Sequence, residues 1–540
     1  MLACHASLPL QAQPDSLLLR DYQLVKQADP WLSGQNAAAL KRYSSADIAW
    51  AELLLNGGGG RLTPHDGSPS VLQVGAAAEA FQRLSSRTVV FGAISYDNWT
   101  GRDMTGSAFI PALPATGGFP VAISRRPFDI VEATQDNSGR KHRDTYQLAG
   151  AFSHTVADGF AIGIRLDYTA ANYAKYKDLR HQNKLMDLTA SAGIYADLLP
   201  WLSAGGNYTY HRQTESVSFS VNGKSEQVYK SLIDYGAFMG QVEQFGNEGY
   251  TDKSREMPLF EDSHGGSLQL ELHPWLAWSL YGSMTMSHGT GYYGRRSPYT
   301  ITYTNHTRDI SRLHTRLSYA PLQCASRFCL DVLYSSEQLE NNAETYRGLT
   351  NTSGATYYEY YDPTETGRKH WRDLDIAYTM HLGIRGEQPT WTARAVYHHQ
   401  QRDITAYLFP YYRWQQLTTN SLSASLTRHV IMPQGIFSVT VSGGFQQGSG
   451  DPYTDGTLLS PGGKQTPPAT MEAFLWQDYQ YLTAAQYAIG MQLQYAFLFP
   501  GTRLKTHVRA AFDHRKANEV YNDYCGRDYT TGTLAVGCTF

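Results

Sequence analysis

The final stretch of the chain constrains its fold more than any other. From Asp528 to Phe540, residues Leu534, Val536, Cys538 and Phe540 fall on one face, and Thr533, Ala535, Gly537 and Thr539 on the other. A side-chain period of two is that of a β-strand. An apolar face that ends on an aromatic, backed by small and polar residues, suits lipid on one side and a wet lumen on the other.

The same alternation recurs backwards along the chain. Leu374, Ile376, Tyr378, Met380 and Leu382 oppose Asp373, Asp375, Thr379 and His381, and Ile162, Ile164 and Leu166 oppose Gly163, Arg165 and Asp167. Tight turns rich in Pro or Gly, such as Phe499-Pro500-Gly501 and Met432-Pro433-Gln434-Gly435, separate pairs of strands. Long connections are expected near residues 56–69, 99–142, 173–184, 214–262, 290–306, 339–369, 403–416, 449–482 and 515–527. Short and long connections in alternation predict an all-β fold. It is a transmembrane antiparallel β-barrel of about 18 strands (16–18), with short periplasmic turns and long extracellular loops. Trp201, Trp275, Trp391, Tyr495 and Phe497 sit at strand ends, where aromatic girdles belong.

Composition agrees. The chain holds 38 Tyr beside 48 Gly, with a formal net charge of −3. Tyrosine favours strands and membrane interfaces, and the small net charge gives no nucleic-acid footprint. A mean hydropathy of −0.41 and the lack of any long apolar run exclude a helical membrane protein. Barrels hide from such averages because every second residue is polar. The expected location is the cell outer membrane, with outer-membrane lipids as the first partner.

Residues 1–13 read as the remnant of a secretory signal peptide, with Leu10-Gln11-Ala12 as a cleavage site. A second reading makes Leu2-Ala3-Cys4 a lipoprotein box with Cys4 lipidated. Residues 14–43 are expected to be a periplasmic tail or plug segment, and 44–540 the barrel. Of the five cysteines, Cys324 and Cys329 flank a predicted turn and are the candidate disulfide.

The inward positions predict a charged lining of Arg165, Asp167, Asp373, Asp375, His381, Arg394, His398, Arg503, Lys505, His507 and Arg509. The cationic run 503–509 and the acidic pair Asp373/Asp375 could set a transverse field; alternatively the charges pair with one another and shape the wall. No spacing supports a metal, no cofactor is implied, and no nucleophile elbow, metalloprotease or phosphate-loop motif is present; no enzyme is expected. Tyr357, Tyr358, Tyr360, Tyr361, Tyr411, Tyr412 and Trp414 are the candidate binding residues of the surface loops.

Phe81-Gln82-Arg83-Leu84, leading to Gly92-Ala93-Ile94-Ser95-Tyr96-Asp97-Asn98, resembles the second and third strands of a family of Bacteroidota outer-membrane barrels known as a domain of unknown function. Tyr173 to Arg180, with Lys184-Leu185-Met186-Asp187-Leu188, resembles its next loop and strand. Asp178-Leu179-Arg180 stands where Asp-Pro-Arg is expected. The resemblance runs from about residue 15 to Phe540. It implies an outer-membrane protein in the company of TonB-dependent uptake systems and transfers no catalytic or binding residue. The expected role is a channel or capture component for uptake of a small solute. The alternative is a closed barrel whose Tyr-rich loops bind a surface lipoprotein, a haem-bearing ligand or a glycan. The partner would be a TonB-dependent receptor or such a lipoprotein.

Overall fold

The structure, a computed structural model, describes residues 16–43, 46–111, 125–132, 137–223, 226–246, 249–253, 255–518 and 525–540. The expected signal remnant and Cys4 lie outside them.

Eighteen antiparallel strands close on themselves. They begin with β1 (Ile48–Gly60), β2 (Ser70–Ser85), β3 (Thr88–Met104), β4 (Gly139–Ala157), β5 (Phe160–Lys175) and β6 (Arg180–Leu199). The wall continues through β7 (Leu202–Ser220), β8 (Met257–Trp275), β9 (Trp278–Ser297), β10 (Thr300–Tyr319), β11 (Ser326–Ala343) and β12 (Thr364–Leu382). It ends with β13 (Trp391–Leu408), β14 (Tyr411–Met432), β15 (Gly435–Gly450), β16 (Gln486–Leu498), β17 (Lys505–Ala517) and β18 (Asp528–Thr539). The ladder closes between β1 and β18, from Trp50 opposite Thr539 to Gly60 opposite Tyr529. Phe540 and Ala49 extend it with two backbone hydrogen bonds of 2.8 and 2.9 Å. Closure removes both sheet edges, as hydrocarbon requires. The outward face carries exposed Leu53, Ile94, Ile164, Leu268, Ile489 and Val536. The apolar face of β18 read from the sequence, with Leu534, Val536 and Phe540 exposed, is part of this lipid-facing belt.

All periplasmic connections are two to eight residues long. The opposite end departs from expectation. The connection expected at 173–184 shrinks to 176–179, that at 290–306 to 298–299, and that at 403–416 to 409–410. These stretches are strand. A membrane needs about 9–11 residues per strand, whereas strands here reach 22 residues. The upper parts of the strands therefore stand above the bilayer and can be polar on both faces. Their outward pairs include Tyr96 with Asp144 (2.8 Å), Tyr210 with Asp262 (2.6 Å) and Tyr397 with Asn420 (2.8 Å). Polarity had read as loop where it was wetted strand.

The interior is filled at both ends by the chain itself. At the periplasmic end, the segment of residues 16–43 crosses the lumen. Its helix α1 (Tyr22–Ala28) is capped by Asp21, whose carboxylate accepts the Leu24 amide at 3.0 Å. Trp31 is buried between Tyr195 and Tyr281, ring centroids 5.1 and 5.2 Å away, and its indole donates to Glu271 at 2.8 Å. Gly163 is needed for this approach: a Cβ there would lie 2.2 Å from the Ala38 nitrogen. At the extracellular end, three connections fold inward. They build a small antiparallel sheet from Asp129–Glu132, Lys230–Gly236, Met239–Gln244 and Ala469–Thr470, joined by helix α2 (Glu472–Thr483). Its apolar core includes Phe109, Phe128, Ile130, Ile233, Tyr250 and Tyr293.

Candidate functional site

Between these two closures lies a chamber. Inward Thr419 and Gln446 are 2 % exposed above it, and Ile436 and Ala496 are 2 % exposed below it. Inward Ser423, Ser425, Ser442 and Gly444 are partly exposed, as are Asp375 on the nearby β12 and Asp167 and Asp187 across the lumen. Side chains of the middle layer therefore face unfilled space.

Most charges of this lining are paired locally. Arg165 makes an ion pair with Asp167 at 2.8 Å and donates to the Gly34 carbonyl of the N-terminal segment at 3.3 Å. Asp375 meets His398 at 2.7 Å, and His381 contacts the Thr392 hydroxyl at 3.1 Å. Asp373 accepts from Gln400 at 2.7 Å and from Arg125 at 2.7 Å. The acidic pair is thus engaged from two directions. The cationic run is divided as well. Lys505 donates to the Arg20 carbonyl at 2.6 Å, while His507 (2.9 Å) and Arg509 (2.5 Å) both reach Glu52. Arg503 corrects the expected lining: it lies exposed in the turn before β17, which starts only at Lys505, because Pro500 and Gly501 lengthen the turn. Arg394 faces inward opposite Thr379 and Ser425 and is exposed to the chamber.

The ceiling of the chamber uses residues that the sequence reading missed. Arg125 and Arg126, on the β3–β4 connection, reach three wall strands. Arg125 pairs with Glu337 (3.1 Å) on β11 and Asp373 on β12, and Arg126 with Glu215 (3.0 Å) on β7. Arg308 of β10 bridges Glu261 (3.0 Å) and Glu337, and also donates to the Arg125 carbonyl at 3.0 Å. Charge-assisted bonds of this kind are worth about 1.5–3 kcal/mol each when desolvated. No local pattern around two adjacent arginines marks such a clasp. Higher up, His65 of the β1–β2 connection and Asp478 of α2 form a buried pair at 2.8 Å. Burial alone would lower the imidazole pKa, but the Asp478 carboxylate outweighs it and raises it to about 9.

The Tyr-rich cluster divides. Thr356–Tyr360 pairs with Tyr346–Thr350 in a hairpin. Tyr358 and Tyr360 pack on Tyr346, with centroids 5.7 and 6.0 Å away, and the Tyr360 hydroxyl accepts the Thr302 amide at 2.8 Å. Tyr357, Tyr360 and Tyr361 are exposed, the last beside Arg347. Tyr411, Tyr412 and Trp414 belong to the start of β14 rather than to a long loop; Trp414 is exposed, and the Tyr411 hydroxyl donates to the Gln465 carbonyl at 3.3 Å. The expected disulfide is corrected: Cys324 and Cys329 are both free. Cys329 is fixed on β11 with its sulfur 3.7 Å from the Ser318 hydroxyl, while Cys324 is exposed in the turn.

A closed eighteen-strand barrel with a lipid-facing belt and an interior occupied by its own chain defines an integral protein of the outer membrane. The chain belongs to the family of unknown function DUF6850, whose model matches residues 133–540. That match begins after Phe81–Asn98, so the first motif read as a resemblance lies outside it. No curated protein matches the sequence. Among solved structures, the ferric preacinetobactin receptor BauA from Acinetobacter baumannii is similar at 9 % identity and a TM-score of 0.42, over 92 % of this chain and 80 % of that one. The outer membrane transporter YddB from Escherichia coli shows 8 % identity and 0.41, over 92 % and 81 %. The CymD monoaromatic hydrocarbon channel shows 10 % identity and 0.30, over 93 % and 90 %.

Proposed function

We propose that the protein is an uptake component of the outer membrane in which a small solute is captured or conducted through the charged chamber, with residues 16–43 acting as the plug of the periplasmic end. The observation that supports this most is the change in burial along the lumen: two filled ends with a partly empty polar layer between them. The extracellular closure has an apolar core of its own, including Phe109, Phe128 and Ile233. The periplasmic closure packs Tyr22, Leu32 and Tyr43 against Phe81 and Phe91 of the wall, and wall donors also hold its backbone. Arg316 binds the Gln27 carbonyl at 2.8 Å, Ser153 that of Ala38 at 2.9 Å and Ser191 that of Gln35 at 2.8 Å. Hydrogen bonds of this kind each contribute only about 0.5–1.5 kcal/mol net, more from the charged Arg316. The family resemblance further supports a place beside a TonB-dependent uptake receptor in Bacteroidota.

Single-channel recording in planar bilayers tests the reading. The full-length barrel is expected to stay closed or open briefly, and deletion of residues 16–43 to give stable conductance steps. A deletion variant that assembles and remains silent would overturn conduction.

A second reading rests on a separate observation, the exposed face of the Tyr346–Tyr360 hairpin. Tyr357 and Tyr361 stand there with Arg347 and Glu359. This face suits a glycan, a haem-bearing ligand or a surface lipoprotein, with the barrel as a closed scaffold. Tyr357→Ser with Tyr361→Ser would then abolish capture of such a ligand without changing assembly.

A further inference from the structure

Cations on the inner wall are engaged almost everywhere. Lys141 and Lys369 donate to loop carbonyls, Lys175 pairs with Glu132, and Arg413 holds Asp455 at 2.7 Å. Three inward arginines behave differently. Among the described residues, the side chains of Arg312, Arg327 and Arg394 make no hydrogen bond and no ion pair. All three lie on the same quarter of the wall, on β10, β11 and β13. The carboxylates of that quarter are already matched: Asp331 by Arg316 (2.6 Å) and His314 (2.9 Å), Asp375 by His398, and Asp373 by Arg125. This side of the lumen therefore carries surplus positive charge.

Arg327 has the clearest setting. It stands directly opposite His381, and Arg394 lies one inward step beyond Thr392, the cross-strand partner of His381. Arg327 and His381 open onto a cavity of about 240 Å³ between the N-terminal segment and the β12–β13 turn. About half of its lining is apolar, from Leu24, Val25, Leu32, Ile384 and Pro389. Two carboxylates border it, and neither forms an ion pair with Arg327: Asp29 pairs with Arg42 at 2.7 Å, and Glu387 accepts the Asp21 amide at 2.9 Å.

A guanidinium without an ion pair, at the rim of a cleft with an apolar side, fits an anion with an apolar body. The planar fork meets a carboxylate in bidentate fashion, and the cleft removes the hydrocarbon part from water. We propose that this cavity is a binding subsite for a small carboxylate-bearing solute with an apolar body, anchored by Arg327. The subsite would supply the substrate class of the uptake reading, on which it rests only for its biological use.

The test is isothermal titration of the full-length protein in zwitterionic nanodiscs with hexanoate, hexanol and hexylammonium, with empty nanodiscs subtracted. Saturable hexanoate binding is expected, about ten-fold tighter than hexanol or more, with hexylammonium weakest. Arg327→Gln should weaken hexanoate by about ten-fold and leave hexanol unchanged, and Arg327→Lys should fall between. Arg312→Gln, outside the cavity, should leave hexanoate binding intact and serves as the folding control. Absence of saturable binding, equal affinity for hexanoate and hexanol, or an assembled Arg327→Gln barrel with unchanged affinity would each overturn the subsite. Conductance after deletion of residues 16–43 reports on passage separately. Conductance without hexanoate binding would sink the subsite alone, and binding without conductance would sink conduction alone.

Discussion

Arg125, on a connection that descends into the lumen, donates to the Asp373 carboxylate of β12 at 2.7 Å. This contact converts an extracellular connection into the ceiling of the chamber. It also explains why an acidic pair in the wall does not act as a free field. Arg125→Ala should release the clasp and expose the connection to protease from the outer face. A double-mutant cycle with Asp373→Asn is expected to give a coupling of about 1–2 kcal/mol in urea unfolding, below the fully buried value because the guanidinium is partly exposed. Additive effects of the two substitutions would show that the pair is incidental.

The His65–Asp478 pair makes the extracellular closure sensitive to alkali. The folded pKa of His65 is raised to about 9, above the unfolded value of about 6.5. Its stabilising contribution is therefore complete below about pH 6.5 and is lost as pH rises through the folded value. Hydrogen exchange at the α2 amides should accelerate between pH 7 and 10, roughly, more than exchange elsewhere in the barrel. Asp478→Asn should remove that extra pH dependence.

Trp31 is the largest apolar anchor of the periplasmic closure. Trp31→Ala removes the ring from between Tyr195 and Tyr281 and leaves Glu271 without its indole donor. Truncation of a buried aromatic costs about 3–5 kcal/mol. The N-terminal segment should become susceptible to protease added from the periplasmic side, while the barrel stays intact and heat-modifiable on gels. Unchanged protection would place the hold on the segment elsewhere.

Phe540 completes the seam through its two backbone bonds to Ala49 and offers an exposed ring to lipid. Deletion of Phe540, or Phe540→Asp, should reduce the yield of assembled barrel in the outer membrane several-fold at equal expression. Normal yield would show that the terminal aromatic is dispensable.

The cysteines predict a labelling pattern. Cys324 should react with a maleimide in the folded barrel, and the protein should run alike with and without reductant. Cys525 is buried, and burial raises its thiol to about 12, so it should label only after unfolding.

The sequence by itself determined the wall. Period-two alternation is a local property, so Leu534 to Phe540 and Leu374 to Leu382 announced their lipid faces without any knowledge of partners. Pro and Gly turns then set the phase of the ladder and the side on which each connection emerges. Even there, wetted strands at 290–306 and 403–416 passed for loops, because polarity above the bilayer does not distinguish the two. Only the tertiary structure decided what fills the lumen and which charges are free. Arg125 meets Asp373 across 248 residues of chain, and His65 meets Asp478 across 413. Alternation says that a side chain points inward, but not what waits there. Lys505 and Asp373, read as charges of the lumen, are consumed by the closures, while Arg394, read in the same way, remains unpaired beside Arg312 and Arg327. That difference comes from pairing in space, which no local pattern encodes.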